Sequence, residues 1–177
     1  MTIRFIAVTD GHRADGYLIV QGTIYVARSG RLLRDTAAGK HERGEVPPGT
    51  YQMGGPMALS AANKLTMSDG SDDVSRFRKF EIMGVGANRQ KDKATGTWGV
   101  KDPRYPDKPR TNLRFHFDGD IKGSEGCIVY DDVRAQESLA QAFRAGDTQL
   151  VVTYVDSDVQ ARALVREFAG KDPPAAS

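Results

Sequence analysis

The sequence contains few of the residues that form disulfides and metal sites. Among its 177 residues it has one cysteine, Cys127, and three histidines. A single cysteine excludes an internal disulfide, and the scattered histidines do not have the spacing of zinc ligands. We therefore predict no metal and no cofactor. The thiol of Cys127 is free, and it is either inert or reactive.

Long apolar runs are also missing from the sequence. No window approaches the roughly 20 apolar residues of a transmembrane helix, so no membrane association is expected. The first apolar stretch covers only residues 5–8, which is shorter than the core of a signal peptide, about 7–15 residues. We expect a protein that is made in the cytoplasm without a signal peptide.

Neither sign of charge dominates the chain. It has 25 basic and 23 acidic residues, giving a net charge of +2, and the two signs are interspersed. This pattern indicates no nucleic-acid partner. The length suits one domain, and we predict a single monomeric domain over residues 1–170 followed by a disordered tail over 171–177.

Short runs rich in Ile, Val and Tyr, separated by turn signals such as Gln21-Gly22, are typical of β-strands. Helical patterns follow only near the end, over about residues 131–145 and 156–169, with Ser157 or Asp158 as the cap of the second helix. A short helix is possible over 60–65. Strands are predicted over residues 3–8, 17–20, 23–27, 31–35, 44–53, 76–83, 113–117, 128–130 and 149–155. The predicted fold class is β-rich, with one or two peripheral helices.

The region from residue 84 to residue 112 has no regular pattern, and a loop of that length is often a lid or a binding loop. We interpret residues 101–110 as solvated charge. Trp98 is interpreted as a local packing anchor rather than a platform for a sugar. His12 and His41 are expected to be surface residues without a partner.

The stretch HFDGDIKGSEGC places His116 eleven positions before Cys127, at the end of a predicted strand. A nucleophilic thiol needs a neighbour that accepts its proton, and an imidazole is the usual one. Gly126 would leave the backbone N–H groups beside the thiol open to a developing oxyanion. The structural alternative is equally simple: Cys127 is a buried core residue, and His116 points from its strand into solvent. Spacing alone does not decide between them.

The segment HFDGDIKGSEGCIVY resembles the active-site signature of L,D-transpeptidases (YkuD-like), a histidine followed by a [Ser/Thr]-x-Gly-Cys-[Ile/Val] element. The stretch GEVPPGTYQM is similar to the Pro-x-Gly-[Thr/Ser]-[Tyr/Phe] strand of that family. Together the matches span about residues 22–130. The resemblance implies a β-sandwich or open barrel, and it is nearest to the short members without a signal peptide that occur in phages and among type VI secretion effectors.

The resemblance assigns roles to individual residues. It implies that Cys127 is the nucleophile, that His116 is the general base, and that the backbone carbonyl of Phe117 orients the imidazole. Where the housekeeping enzymes have histidine before Gly-Cys and a polar residue two positions after the cysteine, this chain has Glu125 and Val129. Arg114 or Arg110 would then have to contact a substrate carboxylate. The remaining positions carried over are Ser124 and Gly126, which shape the turn, and Asp118, Gly119 and Glu125, which lie near the substrate.

The implied reaction is cysteine-dependent transfer at the stem tetrapeptide of peptidoglycan, as an L,D-transpeptidase or L,D-carboxypeptidase. Such an enzyme acts in the periplasm, so a chain without a signal peptide would reach it through a secretion system, as a toxic effector with a possible immunity protein as partner. Two other classes remain open: a non-catalytic cell-wall-binding or phage-structural β-domain, and an unrelated cytosolic cysteine hydrolase.

Overall fold

A computed structural model describes residues 1–30, 44–57, 79–117 and 126–175. The strands in these ranges are β1 (Ile3–Thr9), β2 (Arg13–Val20), β3 (Thr23–Gly30), β4 (Gly49–Met57), β5 (Lys79–Gly84), β6 (Arg89–Lys91), β7 (Trp98–Val100), β8 (Arg114–Phe117), β9 (Ile128–Tyr130) and β10 (Gln149–Val155). The helices are α1 (Arg134–Arg144) and α2 (Asp158–Ala169). The predicted β-rich fold with peripheral helices is therefore confirmed. The predicted strand at 31–35 and the predicted helix at 60–65 lie outside the described residues.

Eight of these strands form a closed barrel in the order β1-β10-β4-β5-β8-β9-β3-β2, while β6 and β7 form a separate hairpin. In the barrel, β8 and β9 are parallel neighbours. Gln21 and Gly22 join β2 to β3 with φ angles of 49° and 77°, and two positive φ angles are what a type I′ hairpin turn requires. The parallel pair is important here because β8 carries His116 and β9 directly follows Cys127.

The barrel interior contains the larger of two apolar clusters, in which Phe5, Phe80 and Phe115 are fully buried. Burial of each such side chain contributes about 1.5–3 kcal/mol to the free energy of folding. Helix α1 adds Leu139 to this cluster, whereas α2 packs with Val165 against a second cluster on the outside of β1 and β2. Both helices therefore stabilise the barrel from its periphery.

The C-terminal segment was predicted to be disordered from residue 171 onwards. Up to residue 175, it lies against α2, where Arg162 donates hydrogen bonds to the carbonyl oxygens of Pro173 at 3.1 Å and Pro174 at 3.3 Å. Pro173 is buried. Ser157, one of the two predicted caps of α2, accepts a hydrogen bond from the backbone N–H of Gln160. Within the described ranges, no helix has the length and apolar character needed to cross a membrane.

The charged segment 101–110 was predicted to be solvated, and this is wrong for two of its residues. Asp102 is 0% exposed and Arg110 is 2% exposed. Arg110 Nη1 donates to Asp102 Oδ2 at 3.2 Å, and Arg104 Nη2 donates to the same oxygen at 2.9 Å. Buried charges are tolerated when they are paired and hydrogen-bonded. Here the pairing of Asp102 with Arg104 and Arg110 outweighs the preference of charged residues for water. The local sequence gives no sign of this pairing.

The same two arginines hold the segment that precedes β4. Arg104 Nη2 and Arg110 Nη1 both donate to the backbone oxygen of Glu45, at 2.8 and 2.6 Å, and Arg104 Nη1 pairs with the Glu45 carboxylate at 3.2 Å. On the other side, Ser29 Oγ accepts the backbone N–H of Val46 at 2.9 Å. We call Glu45, Asp102, Arg104 and Arg110 the arginine cluster. It ties the segment before β4 to the segment 102–110.

We expect Asp102→Asn to lower the free energy of unfolding by about 3 kcal/mol, because it removes the carboxylate from two arginines and leaves the Arg110 charge buried. The matched control is Asp15→Asn. Asp15 pairs with Arg13 at the surface, and its loss should cost less than about 1 kcal/mol. Urea unfolding of both variants at pH 7 measures the difference. Equal losses would show that the cluster does not stabilise the fold.

Wild type and Asp102→Asn should lose stability to different extents in acid. Burial raises the pKa of the Asp102 carboxyl, but hydrogen bonds from Arg104 and the charges of Arg104 and Arg110 outweigh it, so the pKa lies below its usual value. The stability from this ionised group is complete above the unfolded pKa of about 3.9 and is lost as pH falls through the lower folded pKa. The gap in unfolding free energy between wild type and Asp102→Asn should thus narrow below about pH 4. A gap that widens in acid would contradict this assignment.

Candidate functional site

The register of β8 and β9 places the predicted base and nucleophile on one face of the sheet. Phe115 pairs with Ile128, and His116 pairs with Val129. Phe115 and Ile128 are buried in the barrel core. Because side chains alternate across a strand, His116 and the residue before Ile128, which is Cys127, are on the outer face. The two predicted catalytic residues are thus diagonal neighbours on adjacent parallel strands.

A backbone hydrogen bond sets the orientation of the His116 ring. His116 Nδ1 lies 2.9 Å from the carbonyl oxygen of Phe117. A carbonyl can only accept, so Nδ1 carries the proton, and in the neutral ring Nε2 keeps its lone pair. Nε2 is then the atom that can take a proton from a thiol. This contact is the one that the family resemblance implied for Phe117.

The Cys127 side chain is half-buried, and it directly precedes β9. Its Sγ atom is 3.6 Å from the backbone oxygen of Asn112. Asn112 has a φ of 63°, and asparagine is one of the few residues that adopt this left-handed conformation readily. The alternative of a core cysteine is therefore not what is observed, since Cys127 is only half-buried, whereas Ile128 is fully buried.

Gly126 connects the thiol to the arginine cluster. An ideal Cβ at Gly126 would lie 1.6 Å from Arg110 Nη2 and 3.0 Å from the carbonyl oxygen of Gly44, and its φ is 98°. Both facts require glycine at this position. The carbonyl oxygen of Gly126 accepts a hydrogen bond from Ser29 Oγ at 3.3 Å. The residue before the thiol is thereby fixed from two sides.

The structure distinguishes the two arginines that were candidates for a substrate carboxylate. Arg110 is buried in the cluster, with its guanidinium donating to Asp102 and to backbone carbonyls. Arg114 is half-buried on the outer face, one strand away from Cys127, and its Nη2 donates to Asn112 Oδ1 at 3.3 Å. Within the described chain its buried Nε atom has no hydrogen-bond partner. Of the two arginines, Arg114 is the one that lies on the outer face beside the thiol.

Four of the predicted site residues lie outside the described residues, namely Asp118, Gly119, Ser124 and Glu125. Sequence reasoning missed two residues that contact the site, Ser29 and Asn112. Ser29 is an ordinary strand residue in the sequence, so no pattern could have identified it. Asn112 precedes a strand, and asparagine at such a position is a signal for a left-handed turn. In the described ranges, no group of three or more His, Cys, Asp or Glu side chains could hold a metal ion.

Comparison of the chain with protein-family models, with curated proteins and with solved structures finds no match in any of the three. The chemistry of the site must therefore be inferred from its own geometry. That geometry consists of an oriented imidazole, a half-buried thiol on the same face, and a rigid glycine before the thiol.

We expect Gly126→Ala to unfold the protein partially or to displace Cys127, because the added methyl group meets the Arg110 guanidinium. The matched control is Gly146→Ala: Gly146 also has a positive φ, 79°, but an ideal Cβ there meets nothing within 4 Å. The control should lose only about 1–2 kcal/mol, from backbone strain, and keep the thiol reactivity of the wild type. Urea unfolding measures the stability of the two variants, and the rate of thiol labelling measures the reactivity of Cys127 in each. Equal behaviour of the two variants would mean that Arg110 does not constrain the turn.

Proposed function

We propose that this protein is a cysteine-dependent peptidoglycan L,D-transpeptidase or L,D-carboxypeptidase that forms a thioester on Cys127 with stem tetrapeptides. The observation that carries the proposal is the hydrogen bond from His116 Nδ1 to the carbonyl of Phe117. It leaves Nε2 as the proton acceptor, on the same face as the half-buried thiol of Cys127. Further support comes from the resemblance of the His116–Cys127 segment to the signature of that family.

In this proposal the reaction begins with transfer of the Cys127 proton to His116 Nε2. The thiolate attacks the carbonyl carbon at the L-centre of the diamino acid at stem position three, and a tetrahedral oxyanion forms. When the intermediate collapses, the C–N bond to the terminal D-alanine breaks, and His116 gives its proton to the leaving amine. The products of this half are free D-alanine and a thioester on Cys127.

The second half releases the acyl group from Cys127. His116 removes a proton from the acceptor, the acceptor attacks the thioester carbonyl, and the thiol takes the proton back. An amine of another stem gives a cross-link, a free D-amino acid gives exchange, and water gives carboxypeptidase action. The three outcomes use the same base and nucleophile.

Arg114 is the residue that we assign to the carboxylate of the terminal D-alanine. Arg114 precedes Phe115 and Cys127 precedes Ile128, and these two residues pair in register, so Arg114 lies beside Cys127. A guanidinium can bind a carboxylate with two parallel hydrogen bonds. Val129, which occupies the position where housekeeping members have a polar residue, is buried and pairs with His116. An arginine from the neighbouring strand thus takes over a contact that this position cannot make.

We expect Cys127→Ala to abolish turnover of tetrapeptide-containing muropeptides and His116→Ala to reduce it at least about 100-fold, since general base catalysis contributes about 10²–10⁴-fold. Mass spectrometry of muropeptides incubated with each variant measures released D-alanine, exchange products and cross-links. His12→Ala is the matched control, because His12 is exposed and should leave turnover unchanged.

The same variants separate the proposal from its alternatives. Selective labelling of Cys127 near pH 6 that disappears in His116→Ala is expected of a catalytic thiol. Release of D-alanine by Cys127→Ala would identify another nucleophile. A wild-type protein that binds stem peptides without turning them over would be a wall-binding domain, and an activated thiol with no action on muropeptides would indicate a cysteine hydrolase with another substrate.

A further inference from the structure

Asn112 contacts the thiol through its main chain. Its backbone carbonyl oxygen lies 3.6 Å from Cys127 Sγ, and a carbonyl only accepts, so the thiol is the donor. This oxygen can hold the proton of the thiol, but it is far too weak a base to remove it. His116 can remove it, since Nε2 keeps its lone pair when Nδ1 donates to Phe117. The thiol therefore has one neighbour that holds its proton and one that can take it.

The backbone conformation of Asn112 directs this carbonyl toward the thiol. Its φ is 63°, and in the described ranges Gln21, at 49°, is the one other residue besides glycine with a positive φ. Asparagine adopts this left-handed conformation more readily than most residues, whereas a β-branched residue there is a genuine outlier. The direction of the carbonyl bond depends on the backbone angles of its own residue. The contact with Sγ thus depends on the positive φ.

The chain is fixed on both sides of Asn112. Before it, Val100 and Arg110 exchange two backbone hydrogen bonds, each 2.8 Å long. After it, Leu113 is buried, and its carbonyl oxygen accepts the backbone N–H of Ile82 at 2.8 Å. A change of φ at Asn112 would therefore displace the carbonyl of this residue, while the two fixed segments stay in place.

The first of these contacts also holds the β6–β7 hairpin. Trp98 was predicted to be a local packing anchor, but its side chain is 51% exposed. An ideal Cβ at Gly99 would lie 2.5 Å from the carbonyl oxygen of Arg110, so glycine permits this close approach of the two backbones. The hairpin is therefore held by the backbone of Arg110 rather than by packing of Trp98.

The charged groups around Cys127 act on the protonation of the same thiol. A nearby cation favours the thiolate, whereas a hydrogen bond from the thiol to a neutral acceptor favours the neutral form. Arg114 lies beside Cys127, and Glu81 pairs in register with Arg114 and offsets its charge. The other charged side chains on the described elements around the thiol are His116, Lys79 on the outer face of β5, Arg110 in the arginine cluster, and Arg28 on β3, which pairs with Asp131. The carbonyl of Asn112 opposes these cations by favouring the S–H form.

We propose that Asn112 is a positioning residue that keeps the resting thiol of Cys127 protonated, by accepting its S–H group on the backbone carbonyl until His116 Nε2 takes the proton. In the resting protein the thiolate is then a minor form. Because alkylating agents and oxidants attack the thiolate, this hydrogen bond protects the nucleophile between turnovers. The proposal concerns the thiol itself and does not depend on which substrate the site binds.

The test uses the S–H stretching band of the infrared spectrum, which a thiolate does not have. Cys127 is the single cysteine of the chain, so the band reports on this thiol alone. At pH 7 we expect the folded wild-type protein to show the band at a lower frequency than the same protein unfolded in urea, because the hydrogen bond weakens the S–H bond. A folded protein without the band, or with the frequency of the unfolded protein, would overturn the proposal.

Two substitutions separate the backbone of Asn112 from its side chain. Glycine adopts a positive φ without strain, so Asn112→Gly should keep the wild-type band. Asn112→Val should move the band to the frequency of the unfolded protein, because valine disfavours the left-handed conformation. Asn112→Ala carries a milder form of the same strain and replaces the valine variant if that variant does not fold. A band that stays unchanged in the strained variant would show that this carbonyl does not hold the thiol.

The pH dependence of thiol labelling distinguishes protonation from exposure. At pH 6 the thiolate is a minor form, and Asn112→Val should be labelled about threefold faster than wild type, the factor expected for the loss of one weak hydrogen bond. The ratio of the two rates should fall to about 1 near pH 10, where the thiol is ionised in both proteins. A ratio that stays the same at every pH would show that the substitution only exposes the thiol, and it would contradict the proposal.

The matched control is Gln21→Val, which places the same β-branched residue at a positive φ in the β2–β3 turn. It should keep the S–H frequency and the labelling rate of the wild type, and an equal effect of the two valine variants would reject the assignment to Asn112. Turnover of muropeptides by the wild-type protein is measured separately. A lowered S–H frequency without turnover would support this proposal and reject the proposed function, and turnover without a lowered frequency would do the reverse.

Discussion

The buried pairing of Arg110 with Asp102 is the contact on which the geometry of the site depends. A guanidinium that is 2% exposed is held in place only if its hydrogen bonds and its charge are satisfied nearby, because the desolvation of an ion costs several kcal/mol. Asp102 and the backbone carbonyls of Gly44 and Glu45 supply these partners. The position of the guanidinium is consequently rigid, and other parts of the chain are placed against it.

Two constraints meet at the residue before the nucleophile. The Arg110 guanidinium excludes any side chain at Gly126, and Ser29 fixes the carbonyl oxygen of that glycine. Cys127 follows directly, and the parallel pairing of β8 with β9 then places it diagonally from His116. The imidazole needs no carboxylate partner to be oriented, because the carbonyl of Phe117 sets its tautomer. The position of the thiol thus depends on the buried pair of Arg110 and Asp102, whereas the orientation of the imidazole depends on the adjacent residue in the sequence.

This difference explains what the sequence could and could not predict. Alternating apolar residues and the Gln21-Gly22 turn predict strands because both signals are local. The hydrogen bond of His116 to Phe117 was expected only from the family resemblance, which assigned the backbone carbonyl after the histidine to the imidazole. The burial of Asp102 was not, because its partners are brought together by a barrel whose closure joins distant strands. A charged residue in a proline-rich stretch has the same local appearance whether it is solvated or buried.

The arginines around the thiol differ in burial, and they therefore differ in which groups they can bind. Arg110 is buried, and its two terminal nitrogens donate to the carboxylate of Asp102 and to backbone carbonyl groups, so it holds the backbone. Arg114 is half-buried beside Cys127, and its Nε atom has no hydrogen-bond partner among the described residues, which suits the carboxylate that we propose for it. Arg89 lies at the surface on the exposed indole of Trp98, where stacking restricts the guanidinium without using its N–H edge. Since Arg110 also binds the backbone of Val100, one buried arginine positions both the residue before the thiol and the hairpin that carries Trp98.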